Sequence, residues 1–110
     1  MVQPEELKKD EPLVWSAGTG TDVWALFQAC IIGDLTTVQR LFEKDPSLVH
    51  CQHHYRKPLY FSVRENQLAV TEFLIERDSD AVGLAVNDAL LEIARDRGYT
   101  EMEKIGRAHV

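Results

Sequence analysis

Four soft or borderline metal donors fall within five residues of one another in the run His50-Cys51-Gln52-His53-His54. Zinc would take such nitrogen and sulfur donors in a tetrahedron. Structural zinc patterns, however, separate two ligand pairs by about a dozen residues so that the chain can wrap the ion, and no second pair exists here. The remaining histidine, His109, stands next to the C-terminal residue. A Cys51 nucleophile would need a base and an orienting group converging on it, and the sequence offers only the same histidines. Glu5-Glu6 and Glu101 with Glu103 lie on polar faces and read as solvated charge. Gly18-Thr19-Gly20 has neither the preceding strand nor the following lysine of a phosphate-binding loop, so it reads as an entry loop. No catalytic residue, cofactor or metal is expected. A metal- or small-molecule-binding turn at His50, Cys51, His53 and His54 stays as the alternative.

The charge balance narrows the partners. Twelve basic against eighteen acidic residues give a net charge of -6, which repels phosphate backbones and anionic headgroups. Neither nucleic acid nor membrane is expected, and no stretch approaches the roughly 18 apolar residues of a membrane span. With 110 residues, 45% of them hydrophobic and 27% charged, the chain has the composition of one ordinary globular domain. Two cysteines make no disulfide framework, so a cytoplasmic setting is the expectation.

The elements that must position these residues form a repeat. Ala25-Leu26-Phe27-Gln28-Ala29-Cys30-Ile31-Ile32-Gly33-Asp34-Leu35 is matched 33 positions downstream by Pro58-Leu59-Tyr60-Phe61-Ser62-Val63-Arg64-Glu65-Asn66-Gln67-Leu68. Leu41-Phe42-Glu43-Lys44-Asp45 is matched by Leu74-Ile75-Glu76-Arg77-Asp78 at the same offset. A third copy begins near Asp88, with Leu91, Ala94 and Gly98 standing 32 positions after Leu59, Ser62 and Asn66. Apolar spacing of three and four makes each copy two short helices, with Trp24 opening the first one. Gly33, Asn66 and Gly98 each suit a left-handed helix end, and Asp34 suits a cap for the helix that follows. Pro58 suits a first helical turn, Asn87-Asp88 offers capping oxygens, and Asp45-Pro46-Ser47 and Asp78-Ser79-Asp80 read as loops.

Period, turn glycines and the run Lys57-Pro58-Leu59-Tyr60 resemble the ankyrin repeat, over residues 19–108. The resemblance implies an all-α fold: a stacked helix-turn-helix solenoid with short extended turn fingers and repeats at about 19–51, 52–84 and 85–108. Residues 1–18 lie outside it, as a partly flexible or capping segment. The family's threonine and histidine at the start of each first helix are replaced here by Trp24 and Phe27, Lys57 and Tyr60, then Ala89 and Glu92, and Tyr55 stands at the glycine of the second finger. The polar latch is thus missing, and apolar packing carries more of the stability.

The same resemblance implies an interaction module that binds a protein through its concave face, as a monomer or with weak self-association. Matching position by position puts His53, His54, Arg56, Arg64 and Glu65 of the second copy on that face, with Asp96 and Arg97 of the third. The first copy would put Ile31 and Ile32 there, two branched apolar side chains in need of a cover. Pro12-Leu13-Val14-Trp15 folding back over them is the preferred cover, and a partner's apolar anchor the other. A structural cap of a longer array is a further reading, which suits the sparse apolar stripe of Thr100 to Ala108.

Overall fold

The apolar spacing becomes six α-helices in the computed structural model, which describes residues 2–53, 56–77 and 88–108, without the side chains of 88–91 and 106–108. They are α1 (Gly20–Ile32), α2 (Leu35–Lys44), α3 (Pro58–Arg64), α4 (Leu68–Arg77), α5 (Asp88–Asp96) and α6 (Thr100–Ala108). Two 3₁₀ helices, Glu5–Leu7 and Pro46–His50, join them. Among the described residues no strand forms, and extended pairing is limited to the isolated bridges of Pro12 with Thr19 and His53 with Arg56. The chain is all-α.

Three turns of one construction make three helical hairpins. Gly33, Asn66 and Gly98 adopt φ of 80°, 56° and 72°, and the next residue's N–H reaches back five residues in each, from Asp34 to Ala29, Gln67 to Ser62 and Tyr99 to Ala94. This left-handed closure satisfies carbonyls that the helix end leaves open. Its second occurrence uses asparagine, whose short polar side chain tolerates the conformation better than most. Asp34 then caps α2 by accepting hydrogen bonds from the Thr37 N–H at 3.1 Å and the Thr37 hydroxyl at 2.6 Å. Those bonds, the hydroxyl's first, hold the Asp34 carboxyl below its ordinary range, and Arg40 adds to the effect.

The hairpins then pack side by side. Within each, first and second helices touch: α1 with α2, α3 with α4, α5 with α6. Between them, α1 lies on α3 and α3 on α5, while α2 lies on α4 and α4 on α6. Small residues stand where helices approach most closely, since Ala29, Ser62 and Ala94 occupy one position of the three copies and all are buried. The buried Ser62 hydroxyl accepts from Thr71 at 2.8 Å and donates to the Leu59 carbonyl at 3.1 Å, so no polar group is stranded there. Around them Leu26, Phe27, Val38, Leu48, Leu59, Phe61, Val70 and Leu74 fill the core, each contributing roughly 1.5–3 kcal/mol by burial. Phe27 meets Phe61 with ring centroids 4.6 Å apart, and Phe42 meets Phe73 at 5.6 Å.

Several local readings need correction. Helix α1 opens at Gly20 rather than Trp24, because the Thr19 hydroxyl accepts from the Asp22 N–H and caps it there. Gly20 is not part of a loose entry loop: a side chain on it would strike the Glu6 and Lys9 carbonyls. Asp45-Pro46-Ser47 does not run as a loop, since the Asp45 carboxylate takes the Ser47 N–H and hydroxyl and starts the 3₁₀ helix Pro46–His50. The expectations for His54, Tyr55, Asp78-Ser79-Asp80, Asn87 and His109 lie outside the described residues.

Alanine at Gly33 should cost more stability than alanine at Gly98 in urea denaturation. Both incur the left-handed backbone penalty of about 1–2 kcal/mol, but only at Gly33 would the new methyl also strike a neighbour, the Gln67 amide. Ionised Asp34 should favour the folded chain above the ordinary aspartate pKa, and this contribution is lost as pH falls through the depressed folded-state value. The fall in melting temperature caused by Asp34→Ala should therefore shrink on acidification from pH 7 towards about pH 3.

Candidate functional site

Two arginines share one aromatic ring at the surface of the second hairpin. Arg56 ends the finger, where it exchanges both backbone hydrogen bonds with His53 at 3.0 Å. Its guanidinium carbon lies 4.8 Å from the centre of the Tyr60 ring, and that of Arg64 lies 5.6 Å from the same ring and 5.2 Å from Phe61. Tyr60 and Arg64 lie one turn apart on α3, so a single helix face presents both. Arg64 Nε donates to Glu65 at 3.0 Å.

The third hairpin joins this group through backbone. The Arg64 carbonyl accepts from Arg97 Nη1 at 2.9 Å and from the Tyr99 hydroxyl at 3.4 Å, and Arg97 lies 4.0 Å from the Glu65 carboxylate. The Tyr99 hydroxyl, with the Glu65 charge acting in the same sense, pushes the Arg97 pKa further up. Its guanidinium therefore keeps its charge at any pH the fold survives. Arg56, Tyr60, Arg64, Glu65 and Arg97 thus form one patch built by two hairpins. Its means are charge-assisted hydrogen bonds and ring stacking. Asp96 is exposed beside it in sequence.

Not every expected residue joins the patch. The His53 side chain is only 12% exposed, because its Nε2 bonds to Glu6 at 2.8 Å and its ring lies 5.4 Å from Trp15. The N-terminal segment takes His53, where the sequence placed it on an open face. That segment also packs at the start of α1 through buried Leu7, with Gly20 and Thr21 donating to the Glu11 and Lys9 carbonyls. It does not shelter the isoleucines at the far end of the helix. Ile32 is 68% exposed, whereas Ile31 packs partly against the core. Trp15 itself is 43% exposed, and the Ser16 hydroxyl accepts from the Gln52 N–H at 2.8 Å. His54 lies outside the described residues.

The cysteine run is dispersed by burial. Cys51 closes the 3₁₀ helix and is fully buried, as is Cys30 on α1. Burial pushes the Cys51 thiol up to about 12, and burial together with the nearby Cys51 sulfur pushes Cys30 up too. A buried, protonated thiol is a poor nucleophile. Among the described residues no three His, Cys, Asp or Glu side chains gather as metal ligands.

A concavity of about 460 Å³ lies beside the second helices α2 and α4, lined by Gln39, Phe42, Glu43, Pro46, Val49, Phe73 and Arg77. Arg77 already covers Phe73, its guanidinium carbon 4.3 Å from the ring centre. Sequence periodicity missed this groove, and the signal for it was the pair Phe42 and Phe73 on neighbouring second helices. No family model, curated protein or solved structure matches the chain.

Both thiols should resist a soluble disulfide reagent in the folded protein and react together once denaturant unfolds it. Fast native reaction at Cys51 would show an accessible thiolate and restore the metal-binding alternative.

Proposed function

We propose that the chain is a non-catalytic protein-interaction module, an ankyrin-like stack of three hairpins that binds a protein through the face of its first helices. The observation that carries this reading is the patch of Arg56, Tyr60, Arg64, Glu65 and Arg97. It draws on two adjacent hairpins, stands outside the core and offers the arginine and tyrosine chemistry that concentrates interface energy. Hairpins that pack chiefly on the next hairpin in sequence support the same reading, because such stacks leave one face free of packing duty. The 33-residue period and its turn residues add the resemblance to a family whose concave face binds partners.

A photo-crosslinking amino acid should report the face directly. Placed at Asp96, exposed beside the patch, in cells that make this protein, it should give discrete protein adducts. Placed at Glu72, an exposed position on α4, it should give none. Equal adducts at both positions, or none at either, would reject the reading.

A further inference from the structure

The patch is cationic on an acidic molecule, and it ends beside an uncovered aliphatic side chain. Against a chain of net charge -6, three guanidinium groups gather here with one carboxylate, Glu65, bonded to Arg64 at 3.0 Å and 4.0 Å from Arg97. Among the described residues Arg56 has no ion pair, and Arg64 engages only its Nε, which leaves its Nη hydrogens for a ligand. Both guanidinium groups lie against the Tyr60 ring, which places two donors for carboxylates in one cluster. One hairpin away, the 68% exposed Ile32 occupies the position that Glu65 and Arg97 occupy in the second and third copies.

Resting on the interaction reading above, we infer that this face takes an extended acidic segment of a protein partner, with an apolar side chain on Ile32 and a carboxylate at the cluster of Arg56, Tyr60 and Arg64. Adjacent packed helices stand about 8–10 Å apart, and an extended chain advances about 3.3 Å per residue. The apolar residue and the carboxylate are therefore about three residues apart in the partner. A nucleic acid would also meet the arginines, but its phosphates continue past the patch onto a surface of net negative charge. A short acidic segment meets only the patch.

The test is fluorescence anisotropy with the labelled peptide Ser-Gly-Leu-Ser-Gly-Asp-Glu-Gly-Ser and the full chain at low ionic strength. The peptide should bind, and added salt should weaken it. Amidated Asn-Gln peptide, or the variant Arg56→Glu, should weaken binding about tenfold or more. Ile32→Ser, or serine in place of the peptide's leucine, should weaken it several-fold. Both substituted positions are exposed, and circular dichroism checks that each variant is folded. An affinity unchanged by Arg56→Glu would overturn the inference, as would a short single-stranded oligodeoxynucleotide binding as tightly as the peptide. Should the peptide fail while the crosslinker at position 96 still captures a protein, the acidic segment is wrong and the interaction reading stands. Should both fail, both readings fall.

Discussion

One backbone carbonyl at the end of α1, and one at the end of α3, ties its hairpin to the next. A helix end leaves its last carbonyls without partners, and here the next hairpin supplies side-chain donors. Gln67 Nε2 donates to the Ile31 carbonyl at 2.9 Å, and the Tyr99 hydroxyl donates to the Arg64 carbonyl at 3.4 Å. Gln67 and Tyr99 both follow the left-handed residue of their turns, and Ile31 and Arg64 are equivalent positions one copy earlier. The turn that closes one hairpin therefore aims the donor that registers it on its neighbour. The Gln67 bond also explains why Gly33 must lack a side chain, since the Gln67 amide passes over it.

The same constraint builds the surface patch. Arg97 reaches the Arg64 carbonyl alongside Tyr99, so the interaction that stacks the third hairpin also brings a third guanidinium to Glu65. Stability and presentation share these residues, and the patch is held by backbone as well as by side-chain charge. Exposed ion pairs alone would contribute little rigidity.

The N-terminal segment packs at the start of α1. Leu7 enters the core, Gly20 admits the backbone of the segment, and Glu6 with Trp15 holds His53. Helix α1 consequently gains residues at its start that α3 lacks. The Asp22 carboxylate in that added turn pairs with Lys44 at 3.0 Å, tying it to the end of α2.

Periodicity and turn chemistry were enough to read the all-α class, the left-handed ends at Gly33, Asn66 and Gly98, the cap at Asp34, and the start of α3 at Pro58. Each of these is a local preference of a few neighbouring residues, and local preferences are written in sequence spacing. That Arg56, Arg64 and Arg97 share one face was implied by the ankyrin resemblance, not by local spacing. What the register could not show was which side chains meet across hairpins or across the N-terminal segment. The capture of His53 by Glu6, 47 residues away, the burial of Cys51, the exposure of Ile32 and the convergence of three arginines on Tyr60 and Glu65 were decided by tertiary structure. These contacts depend on the path of chain between distant elements, and no spacing within one repeat encodes that path.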